Sequence, residues 1–163
     1  AVPYPVDDDT AYHAAVGRLI RAHGILHEFP WTPFSTQFTH YADKEFLFHL
    51  LFVPLAGVPF VTAARIVGTL CGGAVLAALY FVLRRERVAW AGLWALVPLA
   101  SSAFLFRFAL VRPHLLSIVL AVLLTWALAG NRTAITASIG FLYPLCYVAF
   151  WQVPLILVAC VGT

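Results

Sequence analysis

The sequence predicts an all-α fold: a polytopic transmembrane helical bundle with an outward-facing amphipathic interfacial helix. Three observations lead there. The 163 residues are 63% hydrophobic and only 10% charged, against roughly 25% charged in a soluble domain. From Pro59 onward the chain is a series of apolar runs near bilayer length, separated by short joints. Ahead of them stand Asp7, Asp8 and Asp9, three of the seven acidic residues, at the head of an amphipathic stretch. Residues 1–58 therefore read as an extracytoplasmic loop with amphipathic surface helices. Residues 59–163 read as transmembrane helices, about four complete spans and then a truncated one. The lack of methionine and the short final apolar run suggest a piece of a larger protein.

Each element has a local reason. Asp9 or Thr10 can N-cap a helix whose positive end favours the carboxylates. That helix is expected over residues 10–27. Tyr12, Val16, Leu19, Ile20 and Leu26 form its apolar stripe, His13, Gly17, Arg18 and Arg21 lie largely elsewhere, and Gly24 is the weak point or stop. Residues 28–41 form a loop, because Pro30 and Pro33 break helix, and Trp31, Phe34, Phe38 and Tyr41 suit a membrane interface. A short apolar helix follows over 45–53, ended by Pro54, Gly57 and Pro59. Spans are expected at 59–83, at 88–106 with a kink at Pro98, at 113–130, and at 133–150. Gly68 and Gly72, four apart, permit close helix contact. Asn131 and Arg132 make a turn. Its glycosylation-type triplet with Thr133 is discounted because the turn is short and faces the cytoplasm.

Charge sets the orientation. Arg84, Arg85 and Arg87 favour the cytoplasm, with Arg132 on the same side. The acidic N-terminal segment and the 107–112 connection then face outward, in an integral plasma (inner) membrane protein. The net charge of +3 comes from scattered arginines with no basic-aromatic stripe, so nucleic acid is not an expected partner. Cys71, Cys146 and Cys160 lack metal-ligand spacing and read as small apolar residues.

Three groups can carry chemistry. In the first, Asp8 or Asp9 can act as a general base on a hydroxyl, and Asp8, Asp9 and His13 offer a divalent-metal site. Helix capping explains the same carboxylates without chemistry. In the second, Asp43 and Glu45 flank Lys44, but they share no helix face, so a joint metal site there needs an irregular backbone. The third is Arg107, Arg112 and His114, with Arg65, early in the span at 59–83, as a further member. Guanidinium forks match phosphate, and snorkelling to lipid headgroups is the plain alternative. His40 and His49 read as lone interface or packing residues, and His23 with His27 lacks a third ligand.

The order of an outward acidic motif, a surface helix, a short apolar helix and spans with outward arginines resembles the N-terminal half of the GT-C superfamily of polytopic glycosyltransferases. Asp8 and Asp9 followed by Tyr12 match the acidic motif of its first outward loop. The segment 43–51 followed by Arg65 also looks like these proteins, and Arg112-Pro113-His114 resembles motifs in bacterial members. The resemblance implies a polyprenyl-phosphate-sugar donor and a catalytic carboxylate at Asp8, with the register open by one to Asp9. It also implies donor binding by Tyr12, Arg65, Arg107, Arg112 and His114, with the polyprenyl tail in an apolar groove. The 107–112 connection departs from the oligosaccharyltransferases in having no acidic residue, so a metal requirement is not implied. Membrane lipids and partner subunits are the other expected partners. Two rival readings stand beside this one: a non-catalytic transmembrane subunit of a larger complex, and a transporter with Arg65 on its path.

Overall fold

Apolar periodicity becomes helix through most of the chain. The structure, a computed structural model, describes residues 8–161, and every regular element among them is helical. In order these are α1 (Asp8–His23), α2 (Phe46–Leu50), α3 (Phe60–Arg85), α4 (Ala91–Leu96), α5 (Ser102–Ala109), α6 (His114–Ala129), α7 (Thr133–Leu142) and α8 (Gln152–Val161). Short 3-10 turns lie at Thr36–Phe38, Val53–Leu55, Val97–Ala100 and Tyr143–Leu145.

The spine is α3. Pro59 at its N-cap fixes the approach of the chain, nothing in its 26 residues breaks helix, and Arg84 and Arg85 close it. Its buried face is made of small residues, Ala63, Ala64, Val67, Gly68, Cys71, Gly72, Val75 and Ala78, which lets neighbouring backbones come close. Gly72 lies under the ring of Phe108, where a Cβ would stand 3.1 Å away. Ala14 and Phe48 meet this face near its start, together with Val111 and Leu115. At the other end Trp126 donates its indole N–H to Glu86 (2.8 Å). Contacts at both ends make α3 and α6 run in the same direction. Arg132 sits over the Trp126 ring at 3.8 Å and 3.5 Å from Glu86, so the 84–87 cluster and Arg132 do share one end of the molecule.

Several elements differ from expectation. Helix α1 already begins at Asp8, so Asp9 and Thr10 lie inside its first turn instead of capping it. The acidic triplet is only partly described, because Asp7 lies outside the described residues. The buried face of α1 is Thr10, His13, Ala14, Val16, Gly17 and Ile20, rotated from the expected stripe. His13 and Gly17 join the core because His13 finds a hydrogen-bonding partner there and Gly17 lets Phe52 approach. Tyr12 is left partly exposed. The helix stops at His23, where Gly24 takes a φ of +77°, a conformation natural to glycine. Of the expected spans, α3 is a single helix long and apolar enough to cross a bilayer. The segment expected at 88–106 is instead two pieces, Ala91–Ala100 and Ser102–Ala109, bent by 86°. Pro98 sits in the tight turn before the break, and Ser101 Oγ caps α5 by accepting the Phe104 N–H at 3.4 Å. Helices α6 and α7 are shorter apolar helices.

The far end of the fold rests on Tyr143. It is fully buried, and its hydroxyl donates to Gln152 Oε1 at 2.6 Å, tying the end of α7 to α8. Tyr143→Phe is expected to lower stability by about 1 kcal/mol, read as a lower unfolding midpoint.

Candidate functional site

Three stretches that are far apart in sequence close around one hollow of about 500 Å³. The first turn of α1 supplies Asp9, Tyr12 and His13 on one face, as the i, i+3, i+4 rule requires. The turn before α2 supplies Lys44 and Glu45, and the end of α5, the joint after it and the start of α6 supply Arg107, Arg112 and His114 in turn. Gln37 and Tyr147 complete the wall. Helix α1 is held in place by Val16 and Ile20 against Phe29 and Tyr41, and by Thr10, whose hydroxyl donates to the Val111 carbonyl at 3.4 Å.

On one side of the hollow Arg112 pairs with Asp9 at 3.0 Å. The His114 Nε2–H donates to the Arg107 carbonyl at 3.2 Å, which fixes the turn that carries both arginines. On the other side runs a buried chain of side chains. Asp43 accepts the Glu45 N–H at 3.1 Å, an irregular backbone that sends the two carboxylates in different directions. The Asp43 carboxylate accepts from His49 Nδ1–H at 2.7 and 2.9 Å. Because a carboxylate can only accept, Nδ1 carries a proton, and the tautomer with that single proton has its lone pair on Nε2. That atom lies 2.9 Å from His13 Nδ1, and His13 Nδ1 lies 3.9 Å from Glu45 Oε2. One ligand atom from each of His13, Glu45 and His49 falls within 4.8 Å of the others.

Burial raises the Glu45 pKa, opposed by the His49 and Lys44 charges and reinforced by Asp43 and Asp9. Tyr12 and Tyr41, whose hydroxyls meet at 3.3 Å, are both raised, chiefly by burial, and stay neutral.

Of the residues singled out from sequence, Asp9, Tyr12, Arg107, Arg112 and His114 line this hollow, and Asp8 and Arg65 do not. Asp8 is exposed at the start of α1. Arg65 is exposed too, on the face of α3 turned away from Ala64, Val67 and Gly68. The triplet Asp8, Asp9 and His13 is not the metal-competent grouping the fold assembles. Among the described residues that set is His13, Glu45 and His49. Sequence reasoning passed over His49 because it sits in an apolar run, Phe46 to Phe52. The signal was present nonetheless, since Glu45 and His49 are four apart. No family model, curated protein or solved structure matches the chain.

Proposed function

We propose that the protein is a membrane glycosyltransferase of the GT-C type, moving a sugar from a polyprenyl-phosphate carrier to an acceptor at the outer face. The observation that carries this reading is the shared hollow, where a carboxylate faces two guanidinium groups and a histidine. Its surroundings support it. Large apolar side chains are exposed along α3 to α8, among them Leu70, Leu93, Phe106, Phe141 and Val158, and such an extensive apolar exterior suits lipid. The exposed positions of α1 include Arg18 and Arg21, which suit the headgroup region.

In this reading Asp9, the aspartate that lines the hollow, takes the proton of the acceptor hydroxyl. The hydroxyl oxygen bonds to the sugar's anomeric carbon as the bond from that carbon to the phosphate oxygen breaks. The leaving phosphate keeps the electron pair, and Arg107 and Arg112 hold its charge, as pre-positioned cations do. Donor binding draws Arg112 toward phosphate and loosens its hold on Asp9, so the base is released when the donor arrives.

The test uses the protein reconstituted in liposomes with a panel of polyprenyl-phosphate hexoses and pentoses. The expected result is release of free polyprenyl phosphate, with water or an added alcohol as acceptor, and a higher donor KM in Arg107→Ala and Arg112→Ala. No release from any donor would remove the reading. A partner protein bound over the hollow in native extracts would favour a non-catalytic subunit instead.

A further inference from the structure

We propose that His13, Glu45 and His49 form a binding site for one divalent transition-metal ion, of the zinc type, opening into the hollow. The donor set is two imidazoles and one carboxylate. Imidazole suits zinc and its neighbours, whereas calcium and magnesium take oxygen ligands. Two nitrogens at about 2.0–2.1 Å from one tetrahedral ion stand about 3.3 Å apart. The observed spacings, 2.9 Å between the two histidines and 3.9 Å from His13 to Glu45, lie on either side of that value. Small side-chain rotations therefore bring all three donors into reach.

Two further features distinguish this cluster from an ordinary buried histidine pair. His49 carries the outer partner that metal-binding histidines have, a carboxylate on the opposite ring nitrogen, in Asp43 at 2.7 Å. That contact aims the Nε2 lone pair at the cluster. Glu45 is only 13% exposed, and its Oε2 lies 3.9 Å from His13 Nδ1. A bound cation would stabilise this half-buried carboxylate by direct coordination. On binding, the Nδ1 proton of His13 leaves to solvent, the ring keeping or taking up one proton on Nε2, and the ion takes lone pairs from His13 Nδ1, His49 Nε2 and a Glu45 oxygen. Three protein ligands leave a position open, as in catalytic zinc sites. His13 and Glu45 both line the hollow, so that position faces it.

The site does not depend on the sugar-transfer reading, because it is read by metal content and not by turnover. The tag-free protein is stripped with a chelator and titrated with Co(II) and with Zn(II), and the zinc-loaded form is studied by X-ray absorption. One equivalent is expected, with two imidazole nitrogens at about 2.0–2.1 Å. His49→Ala and Glu45→Gln are expected to abolish stoichiometric uptake, and Asp43→Asn to weaken it about 10–100-fold. A His23→Ala, His27→Ala double variant should bind as the parent does. The proposal is overturned if the parent takes up no stoichiometric metal, or if its zinc shell contains fewer than two imidazoles. Full affinity in the His49 or Glu45 variants would overturn it equally. The absorption measurement uses only the parent protein, so it decides the matter even if a variant fails to fold.

Discussion

Asparagine in place of Asp9 is expected to slow the proposed sugar transfer by about 10²–10⁴-fold, the usual contribution of a positioned general base, while leaving the fold intact. The two halves of that expectation have separate grounds. Asp9 lines the hollow, and amide nitrogen and oxygen cannot take a proton from a hydroxyl at neutral pH. Its ion pair with Arg112 is partly exposed on both sides, 59% for Asp9 and 37% for Arg112. Pairs so open to solvent contribute about 0–1 kcal/mol, so the unfolding midpoint should hardly move. Asp8→Asn is the control. That side chain lies outside the hollow, and turnover should stay within about a factor of two of the parent, far from the loss expected of a base. Turnover and thermal unfolding measured on the same preparations check both. Equal losses at the two positions would assign the effect to the charge of the segment and not to a base.

Gly17→Val is expected to be the most damaging single change to the fold, at about 3 kcal/mol or more, at or beyond the upper end of usual overpacking costs. A Cβ at this position would stand 2.5 Å from the Cβ of Phe52 and 3.2 Å from the His49 carbonyl oxygen. Neither atom is the free end of a flexible side chain, so α1 must lift away from α2. That movement would also pull His13 from His49 and open the wall of the hollow. The contrast is Gly73→Ala. It lies mid-helix in α3 with open space around it, and the substitution is expected to add about 0.5–1 kcal/mol through helix propensity. Unfolding midpoints of the two variants, in one detergent, should shift in opposite directions.

These two glycines show what could be read from sequence and what could not. The all-α character was legible because apolar runs and proline positions are local signals. The joint at 107–114 was legible as a cluster because its charges are adjacent in the chain. The face of α1 was not, because periodicity counts Tyr12 as apolar and His13 as polar. Which of them enters the core depends on His49, thirty-six residues away. The irregular backbone at Asp43 was named as the condition for carboxylates there to act together. It is present, yet it divides their labour, with Asp43 orienting a histidine and Glu45 facing the hollow. Arg65 illustrates the opposite case. Depth within a helix was legible, but the side of the helix it occupies was set by the small residues beside it.

The bend at Ser101 has a mechanical consequence. Arg107 stands six residues along α5 from that joint, an arm of about 9 Å at 1.5 Å per residue. A tilt of about 10° there would swing the guanidinium's root by about 1.5 Å by that lever, with no helix unwound. A substitution at the bend that tilted α5 would therefore move Arg107 without altering any residue that lines the hollow.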